Sequence, residues 1–379
     1  MQKSPTMQVD VAMSCSADIY FYRVGHGLFS YGKLTSPNSE NTFSWIYDCG
    51  SRSRRLISEA LNEHTLRHGN EINLLTISHF HKDHINGIEN LLKCIDVGTI
   101  IVPFIPAWQR LLIGLFSRKY HKTYWSFLQN PINFFSTHAP NARQVYVYRE
   151  ADVEHLKSAD IIPSQQDGYF DISNQGQGII GIKSGDIVEG SFPGWVFIPY
   201  NEPIDVHQLP DNFIQNAEGI LESLVNTSGT HAAAIHFSSL KQQYDRITKN
   251  KNRTSLFLLG EPCYKKYNEK KGVLYTGDGY LKKQTDIDSL VEIMGDISNR
   301  IAYFQIMHHG SSYNCQKGLA DRIKPIESII GATSQYNSPP HADVVNEFAP
   351  YGLDILGKNS PAWHKTIYFD VGMTTGEIH

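Results

Sequence analysis

The run SHFHKDHINGI, which begins at Ser78, restricts this chain more than any other feature of its sequence. Three histidines and an aspartate occur within six residues, directly after the apolar run NLLTIS: His79, His81, Asp83 and His84. A short apolar run that ends in polar residues is typical of a buried strand. We therefore predict that four potential metal ligands converge at a strand end. Imidazole and carboxylate groups suit zinc or a similar divalent ion.

Short runs rich in aromatic and β-branched residues recur along the chain and predict strands. They are DIYFYRV, FSWIYDC and TIIVPF in the first part, and GWVFIPY, TSLFLLG, GVLYTGD, AYFQIMHHG, ESIIGAT, LDILGK and TIYFDVG in the last part. Apolar residues at helical spacing predict a helix after the histidine run, with Asp83 available as its N-cap. Two groups of strands with helices between them predict a layered α/β fold of the α/β/β/α kind.

The range 107–190 differs from the rest of the chain. WQRLLIGLFSRKYHKTYWSFLQNPINFF predicts amphipathic helices, whereas SQQDGYFDISNQGQGIIG is polar and rich in glycine. We interpret the range as a helical or irregular insertion in a single domain that covers residues 1–379. A lid, a surface for a protein partner and a substrate-recognition arm all remain open for it.

Composition indicates the cellular compartment in which this chain is expected. The 379 residues carry a formal net charge of −4 and five scattered cysteines, and an odd number without close pairs indicates reduced thiols. The beginning of the chain lacks the apolar run of a secretion signal. The most apolar short run, LLIGLF, is too short to cross a bilayer. We therefore expect a cytoplasmic protein without a membrane part.

The pattern His-x-His-x-Asp-His at 79–84 resembles the signature of the metallo-β-lactamase superfamily. Six further segments follow the order found in the hydrolase domain of bacterial DNA-uptake (competence) membrane proteins, and they extend the similarity to residues 18–104 and about 194–370: RVGHGLFSYG, IYDCGS, NRTSLFLLG, TGDG, MHHGSS and PPHADVVNEF. The resemblance implies a four-layer αββα metallo-β-lactamase sandwich and a metal-dependent hydrolase. It implies that His79 and His81 bind one ion, and that Asp83 and His84 bind a second.

The same resemblance implies roles for residues later in the chain. Asp278 matches the aspartate that bridges the two metals, and one of His308 and His309 matches the last metal histidine. Asp48 of IYDCGS is expected to orient a ligand histidine, because metal-bound imidazoles usually donate their other N–H to a carboxylate. His341 resembles a late histidine that contacts substrate or donates a proton, and a helix cap is its alternative.

Two positions depart from the pattern of the family. His26 replaces a glutamine, and a place in the cleft and a role in the turn both remain open for it. Asn250 and Asn252 stand where a third metal histidine is expected, and His231 and His236 lie too far upstream to replace it. The site therefore holds one or two ions, with zinc the first expectation and manganese the alternative.

The mechanism that this set implies is attack by a metal-activated water. A divalent ion lowers the pKa of bound water from ~16 to near 7, so hydroxide forms without a strong base. Asp83 is expected to hold this nucleophile and take its proton. His309 or His341 is expected to stabilise developing charge or to protonate the leaving group.

Basic residues favour a phosphodiester in nucleic acid or a nucleotide as the substrate. Arg52, Arg54 and Arg55 directly follow the IYDCG strand, and guanidinium groups match phosphate geometry. Between Lys241 and Lys283, eleven lysines and arginines face four acidic residues, and we add Asn252 and Ser311 as candidate substrate contacts. The alternatives are a hydrolase of small esters, lactones or amides, and a metal-stabilised regulatory subunit with a degenerate site.

Overall fold

The structure, a computed structural model, describes residues 12–37, 39–116, 122–149, 152–153, 156, 161–164, 168–173, 177–201, 255–263, 269–333 and 338–372. Its strands are β1 (Ala12–Phe21), β2 (Gly27–Ser36), β3 (Ser39–Ser51), β4 (Glu71–Thr76), β5 (Asp96–Pro103), β6 (Arg143–Tyr148), β7 (Ile162–Pro163), β8 (Tyr169–Asp171), β9 (Gly178–Lys183), β10 (Ile187–Glu189), β11 (Trp195–Asn201), β12 (Leu256–Pro262), β13 (Gly272–Tyr275), β14 (Ile301–Gln305), β15 (Glu327–Ile330), β16 (Leu353–Ile355) and β17 (Trp363–Gly372).

Helices follow or separate the strands. They are α1 (Arg54–His68), α2 (Lys82–Ile85), α3 (Ile88–Cys94), α4 (Ala107–Phe116), α5 (Lys122–Gln129), α6 (Pro131–His138), α7 (Gln284–Met294), α8 (Leu319–Ile323) and α9 (Ala342–Phe348), with 3-10 turns at Ile297–Asn299, His308–Gly310 and Ala349–Tyr351. None of the helices described is long and apolar enough to cross a membrane.

The strands form two mixed sheets. Over the described ranges, the first sheet has nine strands in the order β17-β1-β2-β3-β4-β5-β6-β9-β7, and the second has eight in the order β16-β15-β14-β13-β12-β11-β10-β8. Strands β3, β4 and β5 run parallel, and so do β13, β14 and β15. Consecutive parallel strands end at the same edge of their sheet, so the loops that follow them meet there.

Apolar residues along a strand alternate between the cores on the two sides of its sheet. Each sheet is therefore buried on both faces. In β12, Leu256 and Leu258 pack between the sheets, whereas Phe257 and Leu259 pack outward against the helices. In β3, Trp45 faces the other sheet in the same way. This alternation follows from the two-residue period of a strand, and it explains why these runs are apolar on both faces.

Three cores therefore separate four layers. One lies between the first sheet and helices α1 and α3 to α6, one lies between the two sheets, and one lies between the second sheet and helices α7 to α9. This is the αββα arrangement that the sequence predicts.

The range 107–190 contributes to the sheets as well as to the helical layer. After helices α4 to α6, strand β6 pairs with β5 and strand β9 pairs with β6, both in parallel, while β10 pairs with β11 of the second sheet. The sequence predicted helices and irregular structure here, so these strands are an addition to that description. The insertion itself stays a prediction.

The expectation that Asp83 caps the helix after the histidine run is wrong. His81 occupies the N-cap position of α2 without a side-chain cap, and Asp83 lies inside the first turn. The physical reason is that a short helix already starts at Lys82, so Asp83 is helical itself, and the residues at helical spacing form the separate helix α3, whose N-cap is Gly87.

Candidate metal centre

The candidate site lies at the edge where strands of both sheets end. His79 lies between β4 and α2, His84 lies in α2, and Asp278 lies in the loop after β13. The 3-10 turn after β14 carries His308 and His309. The two sheets thus supply the site jointly, because these residues lie in the segments that follow β4, β13 and β14.

Four imidazoles of the site are fixed through their Nδ1 atoms. His79 Nδ1 lies 2.9 Å from Ser78 Oγ and His84 Nδ1 lies 2.7 Å from Asp48 Oδ2. His308 Nδ1 lies 2.8 Å from Asn314 Oδ1, and His309 Nδ1 lies 2.6 Å from the Gly331 carbonyl oxygen. Metal-bound histidines are usually held in this way, because a partner at one ring nitrogen sets the direction of the other.

The Nε2 atoms of these rings surround the carboxylate of Asp278. His84 Nε2 lies 3.0 Å and His309 Nε2 lies 3.6 Å from Asp278 Oδ1, while His79 Nε2 and His308 Nε2 lie 3.5 and 3.7 Å from Oδ2. Separations above about 3.2 Å are too long for good hydrogen bonds. Two ligands about 2.0–2.1 Å from one tetrahedral zinc ion lie roughly 3.4 Å apart, so these distances suit shared coordination.

Buried nitrogens without partners support the same interpretation. The Nε2 atoms of His79 and His309 are buried and have no hydrogen-bond partner in the described part of the chain. A buried polar atom without a partner costs free energy, which an ion at the centre of the site would recover. The residues present therefore fit a metal.

The donor atoms divide into two groups of three. His79, His84 and Asp278 form one, His26, Asp83 and His309 form the other, and within each group all donor atoms lie within 4.8 Å of one another. His81 belongs to neither group, and its ring packs edge-on against His79 with centroids 4.7 Å apart. The pairing implied by the family resemblance, His79 with His81 and Asp83 with His84, thus differs from the grouping in the structure.

Asp48 organises the first group from behind. Its side chain is fully buried and accepts hydrogen bonds from Ser78 N (2.7 Å) and Ser78 Oγ (2.6 Å), besides its contact with His84 Nδ1. One carboxylate therefore sets both the backbone before His79 and the ring of His84.

Gln305 holds the turn that presents Asp278. Its Oε1 atom accepts hydrogen bonds from the Thr276 and Gly277 amides at 2.8 and 2.7 Å. Gly277 has a φ of +53°, and a Cβ there would come within 2.6 Å of Ser78, so the turn lies directly on the loop that carries His79. Sequence reasoning missed Gln305, although a glutamine inside the apolar strand IAYFQ is a signal that could have identified it.

Backbone strain is concentrated at the site. Four residues other than glycine have positive φ in the described ranges, and three belong to the site: Asp48 at 58°, His308 at 47° and His309 at 57°. Such conformations are uncommon for residues other than glycine, although aspartate and histidine adopt them more often than most, and they persist where surrounding contacts hold them. The strain here serves to aim side chains at the centre of the site.

Burial and charge set the protonation states that metal ligands need. Burial lowers the pKa of His81 and of His26 to about 3, and it lowers the pKa of His79. Burial acts to raise the pKa of Asp278, but His84 and the neighbouring histidines outweigh it and hold that pKa well below its usual range. Neutral imidazoles beside ionised carboxylates are ready to accept an ion.

His84 is the exception among these imidazoles. Burial acts to lower its pKa, but Asp278 and Asp48 outweigh burial and raise the pKa well above its usual value. Two carboxylates on opposite sides of one ring favour a positive charge there, whether a proton or a metal ion supplies it. Metal binding at this ring therefore competes with a proton.

Cationic side chains surround a pocket beside the second group of donors. The pocket has a volume of about 380 Å³, and its lining includes His26, Arg52, Arg55 and Lys358 but no acidic residue among the described ones. Arg52 contacts Asp83, whereas Arg55 pairs with Glu59 at 2.5 Å. Arg54 is exposed in the first turn of α1, and it does not line the pocket.

The remaining candidates have different placements. His341 occupies the N-cap position of α9 without capping it through its side chain, and its Nδ1 accepts a hydrogen bond from Ser312 N at 3.0 Å. Ser311 is buried, and its Oγ accepts a hydrogen bond from Tyr313 N at 3.3 Å. Asn252, Asn250, His231 and His236 lie outside the described residues, as do seven of the eleven lysines and arginines between Lys241 and Lys283.

Comparisons with known proteins add no family assignment. No protein-family model and no curated protein matches the chain. Solved structures that it resembles include the metallo-β-lactamase fold protein YhfI from Bacillus subtilis, with 10% identity and a TM-score of 0.40 over 92% of this chain and 100% of that one. A long-form RNase Z from yeast has 11% identity and a TM-score of 0.37 over 87% of this chain and 38% of that one. Unliganded yeast PDE1 has 9% identity and a TM-score of 0.37 over 93% and 99%.

Proposed function

We propose that this chain is a metal-dependent hydrolase of the metallo-β-lactamase superfamily, with a phosphodiester in nucleic acid or a nucleotide as its substrate. One observation carries the proposal: four imidazoles fixed through Nδ1 direct their Nε2 atoms around the Asp278 carboxylate. The ordered motifs make the chain a candidate relative of the hydrolase domain of DNA-uptake proteins. Zinc is the ion that this donor set favours, with manganese as the alternative.

A divalent ion supplies Lewis-acid chemistry at such a site, since it makes water acidic and polarises the bond under attack. His79, His84 and Asp278 would hold it in the first group. Asp83 has the more accessible carboxylate, with 14% of its side chain exposed against 3% for Asp278. Asp83 Oδ2 is therefore the atom that takes a proton from the attacking water.

Positive charge beside Asp83 supports a phosphate-bearing substrate. Arg52 Nε lies 3.4 Å from Asp83 Oδ2, and 60% of the Arg52 side chain is exposed, so a bound anion can reach its guanidinium. Arg52, Arg55 and Lys358 all line the adjoining pocket, where guanidinium and ammonium groups can contact a phosphate. An ester, lactone or amide without a phosphate gains little from these charges.

The substrate class is tested with a panel and a matched pair of arginine variants. The panel contains bis-p-nitrophenyl phosphate, single- and double-stranded DNA, RNA, p-nitrophenyl acetate and a β-lactam. We expect hydrolysis of phosphodiesters, and we expect Arg52→Gln to raise KM for them about tenfold, which corresponds to about 1.4 kcal/mol. Arg67→Gln, at the other end of α1, is the control and should leave KM unchanged. Turnover of the acetate or β-lactam alone would refute the phosphodiester assignment.

A further inference from the structure

We propose that His26 is a metal ligand, and that with Asp83 and His309 it forms a second ion position separate from that of His79, His84 and Asp278. The inference rests on the proposed metal centre and assigns its donor residues to two ion positions. It also gives a function to a histidine that replaces the glutamine of the family pattern.

The three side chains meet at ligand spacing. Their donor atoms all lie within 4.8 Å of one another, and His309 Nε2 lies 3.7 Å from Asp83 Oδ2. The rings of His26 and His309 have centroids 3.9 Å apart and are tilted by 40°. Two imidazoles and one carboxylate are a common set for an ion that keeps an open position for water or substrate.

The His26 ring is held at its position without a side-chain hydrogen bond to any described residue. It has a relative exposure of 7% and forms part of the pocket lining. Its place is set by the main chain, because its carbonyl oxygen accepts a hydrogen bond from Arg52 N at 2.7 Å. The His26 ring lines the pocket beside Arg52, so an ion can reach it from there, and the donor atoms at ligand distance from it are those of Asp83 and His309.

Close packing of three loops brings His26 to this place. A Cβ on Gly27 would lie 2.3 Å from the Gly50 carbonyl oxygen and 2.8 Å from the Asp83 carbonyl oxygen. A Cβ on Gly331, whose carbonyl fixes His309, would lie 2.5 Å from the Gly27 carbonyl oxygen. The absence of side chains at Gly27 and Gly331 therefore lets the loop of His26 lie against the loops of Asp83 and His309.

The Asp278 carboxylate connects the two positions. Its Oδ1 atom lies 3.0 Å from His84 Nε2 of the first group and 3.6 Å from His309 Nε2 of the second. A carboxylate oxygen between ligands of two groups is suited to neighbouring ions.

Metal content tests the inference without reference to activity. Chelator-stripped protein is reloaded with zinc, freed of excess metal and analysed for ions per chain. Wild-type protein is expected to hold two, His26→Gln one, and the control His64→Gln two, since His64 is a buried histidine far from these donors. Circular dichroism and thermal melts confirm that each variant is folded.

A second variant provides a positive signal. In cobalt-loaded His26→Cys, a thiolate at this position should coordinate the ion and add a thiolate-to-cobalt charge-transfer band in the near ultraviolet. His64→Cys, which introduces a thiol elsewhere, should not. The band in His26→Cys together with the loss of one ion in His26→Gln supports the assignment.

The outcomes separate this inference from the proposed function. Unchanged metal content and affinity in His26→Gln, with no new band in His26→Cys, overturns the inference while the hydrolase proposal stands. Two ions in wild-type protein and one in His26→Gln, without hydrolysis of any substrate, supports the inference and refutes the function. Wild-type protein that binds no metal overturns both.

Discussion

Asp48 holds the imidazole of His84 from the interior of the protein, and its backbone adopts a φ of +58° to do so. Aspartate and asparagine tolerate this left-handed conformation better than most residues, because their short polar side chains can hydrogen-bond locally. Substitution by asparagine therefore removes the charge while it preserves the backbone, which makes the role of the carboxylate measurable.

We predict that Asp48→Asn weakens metal binding by about 10–100-fold, because it loosens the orientation and lowers the basicity of His84. Competition with a chromophoric chelator measures the affinity. Asp296→Asn, a cap of the 3-10 turn at Ile297–Asn299, is the control and should bind metal like the wild type. Equal affinities for Asp48→Asn and wild type would mean that Asp48 does not support the metal.

His64 is a buried histidine outside the site, and it makes stability depend on pH. Burial, and then the neighbouring His68, lower its pKa from 6.5 to about 3 in the folded protein. The unfolded chain therefore binds a proton at higher pH than the folded protein does. The stability that His64 contributes is complete above pH 6.5 and is lost as the pH falls toward 3.

We predict that His64→Gln, which keeps a polar partner for Tyr22 but cannot titrate, loses less stability on acidification than the wild type. Between pH 7.5 and 5.0 the difference should be about 2 kcal/mol. Urea unfolding of both proteins at both pH values measures it, and the metal site is common to both and cancels. The same loss in both proteins would show that His64 titrates normally when folded.

Single residues of the site divide into those that the sequence predicts and those that it leaves open. The spacing of His79, His81, Asp83 and His84 on one short loop is a local pattern, so their proximity follows from the sequence. The partners of Nδ1 are not local, since Asn314 and the Gly331 carbonyl come from other loops. The pairing of His26 with His309 likewise depends on how loops pack, and no local pattern reports it.

Among the elements, the turn between β13 and Asp278 depends on a side chain from the neighbouring strand. Gln305 of β14 accepts hydrogen bonds from two successive amides of that turn and donates one to the Ile306 carbonyl oxygen at 2.8 Å. The amides of this buried turn cannot bond to water, so the glutamine side chain supplies the acceptor that they need. The position of Asp278 therefore depends on the position of β14 beside β13.

We predict that Gln305→Leu lowers the free energy of unfolding by about 2–5 kcal/mol, because two buried amides lose their acceptor. It should also weaken metal binding, since the turn of Asp278 loosens. Gln144→Leu is the matched control: Gln144 is buried in β6, and its Nε2 bonds Ser136 Oγ at 3.0 Å, away from the site. The control should lose stability but keep metal affinity, and unchanged affinity in Gln305→Leu would contradict the role of the turn.

Elements with a long apolar run are predictable from the sequence, and short or irregular ones are not. NLLTIS corresponds to β4 and TSLFLLG to β12, with ends displaced by two residues. Strand β9, GIIGIK, contains two glycines, and it belongs to the sheet because it pairs with β6 along six residues. Its structure depends on a neighbouring strand, and propensity alone does not favour it.

For the molecule as a whole, the candidate metal centre joins the two sheets. His79 and His84 follow β4 of the first sheet, whereas Asp278 and His309 follow β13 and β14 of the second. An ion bound by both sets binds only the folded protein, because unfolding separates them. Metal binding should therefore stabilise the packing of one sheet on the other.

We predict that metal removal lowers the melting temperature. At a free metal concentration 100 times Kd, a single ion contributes about 2.7 kcal/mol, which corresponds to a shift of several degrees. Calorimetry of metal-loaded and chelator-treated protein measures the shift. Asp278→Asn, which alters the carboxylate between both groups, should show a smaller shift, and equal melting temperatures with and without metal would contradict a joint site.

The central claim, a metal centre that hydrolyses phosphodiesters, is tested most directly by restoring activity to metal-free protein. Bis-p-nitrophenyl phosphate is offered to chelator-stripped wild type and to Asp83→Asn while zinc or manganese is titrated in. We predict that the wild type regains hydrolysis in proportion to bound metal, and that Asp83→Asn remains folded but is about 10²–10⁴-fold slower. Hydrolysis that persists without metal, or an Asp83→Asn variant as active as the wild type, would contradict the claim.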